Sequence, residues 1–396
     1  MKSKRIMEGV FWVGAVDFSR RLFDALVPLP NGTSYNAYLV KGSDKTALID
    51  TVDPAMASSL MHHLDDVRLE SLDYIVANHA EQDHSGAIPE VLEKYKNAKV
   101  VVNEKCKTLL MSHLSIEADR FIVVKDGDTL PLGGKTLEFI STPWVHWPET
   151  MCTYLQEGKV LFSCDLFGSH LATAELYSSR EERVYEAIKR YYAEVMMPFR
   201  KIIRKHLDML AGFDIDFIAP SHGPVHKDVS FVMETHRRWV SDEAANSVVL
   251  PFVSMHGSTE RMVDRLTEAL AEEGVKVERF DLTVYDTGRY AASLVDAATI
   301  VIASPCFLTG AHPLVVSAAF LANALKPKLK FASIIGSYGW GSRMVPQIKG
   351  FLSGLKLDYI EPMEIKGEPG QGDLAAIDGI AGEIRKRHIE AGVLKV

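Results

Sequence analysis

Seven side chains able to ligate a metal ion dominate the chemistry of this sequence. Four lie in the stretch Asn78-His79-Ala80-Glu81-Gln82-Asp83-His84-Ser85-Gly86, directly after the apolar run Tyr74-Ile75-Val76-Ala77. An apolar run followed by a polar, Gly-containing turn reads as a buried strand delivering its last residues to a site. His79 and Glu81 are two apart, so on an extended backbone they point the same way. Asp83 and His84 are adjacent and are expected to splay apart, one of them reaching a second metal. Three further apolar runs end in the same manner. Thr136 to Ile140 leads into Pro143-Trp144-Val145-His146, Lys159 to Phe162 into Ser163-Cys164-Asp165, and Asp216 to Ala219 into Pro220-Ser221-His222-Gly223-Pro224. Four strand ends meeting at one edge bring together four histidines and three carboxylates. A solvated polar turn accounts for one such segment, not for four.

The elements that must position these groups follow from pattern. Phe11 to Val16, Ser34 to Val40, Thr46 to Ile49 and Asp73 to Ala77 read as strands. So do Ala98 to Val102, Phe121 to Lys125, Lys135 to Ser141, Cys152 to Gln156 and Lys159 to Phe162. Helical stretches lie between them (54–64 and 89–95), a long amphipathic pattern spans 180–211, and a charged helix over 229–244 leads out. Such an order suits two packed sheets with helices outside and the site at a strand-end edge. His62 and His63, in a polar helical stretch, are expected to face solvent. His113, His206, His236 and His388 lack ligand-like context and suit surface or packing roles.

With 396 residues the chain can build two full cores, and a net charge of −8 argues against a nucleic-acid partner. No signal peptide follows the basic start, and no run approaches the roughly 20 apolar residues of a membrane span. Cys106, Cys152, Cys164 and Cys306 form no Cys-x-x-Cys pair. That fits unpaired thiols in a reducing cytoplasm and excludes an iron site of the paired type. Cys164 beside Asp165 suits packing better than ligation.

A new rhythm starts at residue 247. The strand Ser247 to Val253 enters Ser254-Met255-His256-Gly257-Ser258-Thr259 and a helix to Glu273, an arrangement able to cradle a phosphate. Ala298 to Ala303 runs into Ser304-Pro305-Cys306-Phe307-Leu308-Thr309-Gly310, and Lys330 to Ile335 into Gly336-Ser337-Tyr338-Gly339-Trp340-Gly341-Ser342. Alternating strands and helices predict a doubly wound parallel sheet with a ligand beyond the carboxyl ends of its strands. These three loops resemble those of flavodoxin around FMN. In that likeness Ser254, His256, Gly257, Ser258 and Thr259 wrap the phosphate. Pro305, Cys306, Phe307, Leu308 and Thr309, with Ser337, Tyr338, Gly339, Trp340 and Gly341, flank the ring system.

Both halves, in order, resemble the flavodiiron proteins. The family implies a metallo-β-lactamase-like αββα sandwich over 1–246 and a flavodoxin-like domain over 247–396. Because the sequence ends with that second domain, no rubredoxin-like extension is expected, as in the two-domain class. Most relatives of the sandwich carry His-x-His-x-Asp-His and bind zinc. Here Glu81 replaces the second His, and a harder oxygen donor shifts preference towards iron. The resemblance implies that His79, Glu81 and His146 hold one iron, that Asp83, His84 and His222 hold the other, and that Asp165 bridges them. Relatives differ on whether the His at 84 coordinates or yields to water, and His226 stands as a rival ligand. His170 and one of Tyr191 and Tyr192 correspond to pocket positions, and Asp24 stands where some relatives have a His.

The implied activity is reduction of dioxygen to water, of nitric oxide to nitrous oxide, or both, with electrons passing through FMN to two irons per chain. The implied donor is rubredoxin or a reduced deazaflavin coenzyme, and the implied assembly a head-to-tail homodimer or a tetramer of such dimers. A zinc-dependent hydrolase of the same sandwich fold is the main alternative, and a non-enzymatic flavin carrier the second.

Overall fold

A computed structural model describes residues 2–395. The chain forms two compact units, one ending at Val240 and the next beginning at Ser241. In the first, a seven-stranded sheet runs in the order Lys4–Met7, Val10–Trp12, Tyr38–Lys41, Thr46–Ile49, Tyr74–Val76, Lys99–Val102 and Phe121–Val123. A five-stranded sheet runs Thr129–Pro131, Thr136–Ser141, Met151–Leu155, Val160–Cys164 and Phe217–Pro220.

Alternating side chains divide each strand between two layers. Trp12, Tyr38, Val40, Ile49 and Val76 of the first sheet meet Leu137, Phe139, Leu155, Val160 and Phe162 of the second. Leu39, Leu48, Ile75 and Val100 face the other way, onto Leu60, Leu64, Val91, Cys106 and Leu110 of three helices, Ala57–Asp66, Ile88–Lys94 and Glu104–Leu114. Met151–Leu155 and Val160–Cys164 are buried at every residue, so the second sheet is covered on both faces too. This is the metallo-β-lactamase-like sandwich.

Two expectations about the helices of this unit need correction. The amphipathic stretch over 180–211 is broken. Helix Glu182–Tyr191 runs into a π-turn, Tyr192–Met196, then a 3-10 turn, Met197–Phe199, before helix Arg200–Leu210. Pro198 lacks the N–H that a continuous helix needs. His63 is not solvent-facing. Its position puts it on the inward stripe of its helix with Leu60 and Leu64, and its Nδ1 lies 2.8 Å from the Gly14 carbonyl.

The second unit is a parallel sheet in the spatial order Lys276–Asp281, Ala245–Phe252, Ala297–Phe307, Phe331–Tyr338, with Asp358–Tyr359 and Met363–Lys366 both on the outer side. In chain order this is 2-1-3-4-5, the flavodoxin-like winding. Its core joins Val248, Leu250, Val301 and Ile335 to Met262, Leu266 and Leu270 of helix Ser258–Glu272 and to Ile377 and Ile384 of helix Gln371–Glu390. The strand expected to end at Ala303 continues to Phe307, because it folds back on Gly310–Ala311 as a hairpin. No helix among the described residues is long and apolar enough to cross a membrane.

Candidate metal centre

The strand Tyr74–Val76 ends beneath Asn78, and this residue fixes the ligand loop. Its backbone N–H and side-chain amide donate to the two Asp50 carboxylate oxygens at 2.7 and 2.9 Å, while its Oδ1 accepts from Thr153 Oγ1 at 2.7 Å. Burial raises the Asp50 carboxyl to about 6. The loop then closes in a helical turn, Gln82–Ser85, whose Ser85 hydroxyl donates back to the carbonyls of Ala80 and Glu81.

Because of that turn, Asp83 and His84 do not splay. His84 Nε2 lies 3.2 Å from Asp83 Oδ1, and His222 Nε2 lies 3.1 Å from Asp83 Oδ2. Beside them, Glu81 Oε2 lies 3.1 Å from both His79 Nε2 and His146 Nε2. Asp165 stands between the two groups. Its Oδ2 is 3.6 Å from His79 Nε2 and 3.7 Å from His146 Nε2, while its Oδ1 is 3.2 Å from His84 Nε2 and 3.5 Å from His222 Nε2. The seven sequence candidates therefore form two clusters sharing one carboxylate.

These residues fit a pair of metal ions. Ligands about 2.1 Å from a common ion stand roughly 3.0–3.4 Å apart, close to most of the separations here. Both Asp83 oxygens and Asp165 Oδ2 are buried without a hydrogen-bond partner among the described residues, although imidazole nitrogens lie close by. Lone pairs that converge without satisfying one another are arranged for a third atom. Burial opposes charge on His79, but the hydrogen-bonded Glu149 and Glu81 raise it to about 9. Burial likewise opposes charge on His84, and the Asp165 and Asp83 carboxylates push it well up. Burial would raise Asp165, yet the surrounding imidazoles hold it well below the usual carboxylate range.

The neighbouring groups sort clearly. His226 Nε2 lies 3.0 Å from the Phe167 carbonyl and its Nδ1 2.8 Å from Ser178 Oγ, so both nitrogens are occupied away from the clusters. Burial pushes it down to about 4, which keeps it neutral. Cys164 touches the second cluster, but burial pushes its thiol well up and leaves it protonated. Tyr191 Oη donates to Asp165 Oδ1 at 2.9 Å, whereas Tyr192 packs on Trp239. His170 lies alongside His222 with its Nδ1 2.9 Å from Thr33 Oγ1. Asp24 lines a cavity of about 290 Å³ at the mouth, with Arg20, Phe23 and Trp147 beside Glu81 and Asp83. Burial, then the charges of Glu81 and Asp83, raises its carboxyl. Sequence reasoning missed Glu149 and the Ser34 carbonyl, which receive the Nδ1 sides of His79 and His222 at 2.7 Å each. Only the proximity of Glu149 to His146 in the chain hinted at either.

The family described as "ODP family beta lactamase" matches residues 33–223. A nitric oxide reductase of Moorella thermoacetica is 34% identical over 372 residues, spanning 92% of each chain. The structure of rubredoxin oxygen:oxidoreductase from Desulfovibrio gigas, 29% identical, matches 99% of this chain and 100% of its own with a TM-score of 0.94. The flavodiiron protein from Giardia intestinalis, 28% identical, covers 98% of this chain and 97% of its own, also at 0.94. The chain belongs to the flavodiiron family of oxidoreductases.

In this flavodiiron chain the three loops singled out in the second unit gather at the carboxyl ends of its central strands. Gly257, at φ +89°, caps helix Ser258–Glu272, and a Cβ there would meet nothing within 4 Å. Ser254 Oγ accepts from the N–H groups of Gly257 and Glu260 at 3.1 and 3.2 Å, which holds the turn open in front of the helix amino terminus. Thr259 is buried with its hydroxyl 3.4 Å from Ser337 Oγ, and Cys306 Sγ donates to the Gly341 carbonyl at 3.1 Å. Those contacts tie the loops together. Leu308 and Thr309 take φ +47° and +68° at the hairpin tip, the pattern of a tight type I′ turn. Phe307, Leu308 and Trp340 are exposed, Trp340 at 77%. His256 is exposed at the same edge.

Proposed function

We propose that this protein reduces a small diatomic, dioxygen to water or nitric oxide to nitrous oxide, at two iron ions fed by FMN. The single observation that supports this most is Asp165, which presents one carboxylate oxygen to each of two His-and-carboxylate clusters. When bound, the irons and the flavin supply the electrons. His79, Glu81 and His146 would hold one ion, Asp83, His84 and His222 the other, with Asp165 between them. Tyr191 orients the shared carboxylate through its hydroxyl and is a proton-bearing group at the edge of the pocket. The mouth cavity, walled by Phe23 and Trp147, admits a small molecule while its Asp24 and Arg20 keep that entrance polar.

In the second unit, FMN would set its phosphate at Ser254, His256, Gly257, Ser258 and Thr259. Its ring would lie between residues 305–309 and 337–341. The hydroxyls, the helix amino terminus and the open Gly257 favour an anionic group there. The exposed indole and phenyl rings offer apolar surface for the isoalloxazine. Rubredoxin or a reduced deazaflavin would deliver electrons from outside, in the cytoplasm, to a head-to-tail homodimer or a tetramer of such dimers. We assign metal binding to the unit that ends at Val240 and FMN binding to the unit that begins at Ser241, a few residues before the boundary expected between 246 and 247.

The deciding experiment measures iron, zinc and FMN in anaerobically purified protein, then consumption of dioxygen and nitric oxide with a chemically reduced donor. About two irons and one FMN per chain with turnover of either gas supports the reading. Zinc retained after growth on iron-rich medium, with ester hydrolysis and no gas turnover, replaces it with the hydrolase. A monomer running at full rate would remove the dimer from the scheme.

A further inference from the structure

We infer that Glu149 is a positioning residue that makes the two metal positions unequal. It fixes the tautomer of His79 and strengthens that imidazole as a donor, while the corresponding His222 leans on a neutral carbonyl. The inference rests on the two-iron reading above and concerns a residue outside its seven ligands.

The geometry is direct. Glu149 Oε1 accepts from His79 Nδ1 at 2.7 Å and from the Ala80 N–H at 3.2 Å. Both side chains of the Glu149–His79 pair are fully buried, so the bond lies in a low-dielectric setting where a charged acceptor counts most. Its other oxygen, Oε2, has no hydrogen-bond partner among the described residues, so the carboxylate is committed to this one edge. The backbone beneath is held as well. Asn103, whose Oδ1 caps helix Glu104–Leu114, donates from Nδ2 to the Glu149 carbonyl. Glu149 is thus aimed at His79 by a helix end.

With its proton kept on Nδ1, His79 must present the Nε2 lone pair to the site shared with Glu81, His146 and Asp165. A carboxylate on the far side of a ligating imidazole raises its basicity and its hold on the metal. His222 gains only the tautomer, because its Nδ1 meets the uncharged Ser34 carbonyl at 2.7 Å. Charge on the ligands points the same way. Glu81 and Asp165 Oδ2 serve the first cluster and Asp83 and Asp165 Oδ1 the second, so the carboxylates balance, and Glu149 adds one negative group to the first alone. The ion held with His79 should therefore be the more tightly bound and the harder to reduce.

The experiment uses the full chain loaded anaerobically with iron-57, as wild type, Glu149→Gln and Glu149→Ala. Chelator competition reads the affinity of each position, Mössbauer spectra distinguish the two irons, and a redox titration gives their midpoints. Flavin content and the unfolding midpoint check that each variant is folded. Glu149→Ala is expected to weaken one position about 10–100-fold and leave the other within about twofold. Glu149→Gln keeps the acceptor oxygen but not the charge. It should retain both irons and change one Mössbauer doublet, with the midpoint of that iron moving up. A merely structural Glu149 would affect both positions in step, and two unaltered positions would show no role at all; either result overturns the inference. A wild type that binds no iron pair sinks the proposed function and this inference together. A wild type with two irons and indifferent Glu149 variants sinks the inference alone.

Discussion

At the candidate metal centre every ligating atom belongs to a side chain, and five of the seven ligand candidates are buried. At the loops of the second unit proposed to hold the flavin, the working parts are mostly backbone, an open glycine, two hydroxyls and a set of exposed rings. Both stand at the carboxyl ends of strands. The first gathers like charges in a low dielectric, so each neighbour must be specified to keep the assembly from repelling itself. The second offers a shape and a helix end, and many sequences supply those. Chemistry that needs particular atoms is strict about residue type; binding that needs a contour is not.

This contrast can be tested at its strict end first. Asp165→Asn removes the carboxylate shared by the two clusters. Iron is expected to fall from about two to below one per chain and gas turnover by more than about 100-fold, with FMN unchanged. Elemental analysis and flavin absorbance on one sample check it, and iron retained at about two per chain would break the claim that the metal centre is strict about this residue.

A middle-sized effect concerns Gly257. Alanine there meets no atom, so its cost is backbone strain alone, about 1–2 kcal/mol at a positive φ. The turn is expected to relax away from its open form and FMN to bind about tenfold more weakly, as fluorescence titration would show, with iron unaffected.

The second unit also contains a buried polar group unrelated to either site. His388 donates from Nδ1 to Asn246 Oδ1 at 2.8 Å and accepts at Nε2 from Thr299 at 2.7 Å, and burial lowers it to about 4. Its folded value lies below the unfolded one of about 6.5. Its contribution is therefore complete above pH 6.5 and is lost as the pH falls towards 4, because the unfolded chain takes up the proton first. The second unit should lose on the order of 1–2 kcal/mol over that window, allowing for partial solvent screening. His388→Gln, which can keep both hydrogen bonds, should flatten the profile in urea titrations at stepped pH.

The smallest expected effect lies at the hairpin tip. Thr309→Gly relieves a positive φ and should stabilise the unit by up to about 1 kcal/mol while leaving metal content untouched. Differential scanning calorimetry would resolve it. A destabilised variant would mean that the Thr309 side chain contributes more than its backbone costs.

How much could be read from the sequence follows the same division. The seven ligand candidates were legible because imidazoles and carboxylates after apolar runs are unusual, and the structure brings all seven together. Their supports were not. Ser34 acts through its carbonyl, which every residue has, and Glu149 sits in a loop with no periodicity to mark its direction. The convergence of Asp83 and His84, implied by the family resemblance, escaped the reading from pattern because two-residue alternation was assumed where four residues form a helical turn. In the second unit the winding of the sheet was clear from its alternating elements. The continuation of Ala297–Phe307 was not, since it depends on the return strand Gly310–Ala311 rather than on its own residues. His63 was misread because its polar neighbours concealed the inward stripe of an amphipathic helix.

The π-turn Tyr192–Met196 has a genealogical implication. Such a turn is an α-helix with one residue too many, its hydrogen bonds reaching one place further along. Tyr191, which orients Asp165, is the last residue before the surplus, and Met197, which leads to the next helix, is the first after it. Deleting Ala193 would return the segment to ordinary helical phase and turn everything downstream by about 100° relative to Tyr191. A descendant of this lineage could therefore exchange the exposed residues along 182–210 and still keep its tyrosine in place, but it could not shorten that stretch by one.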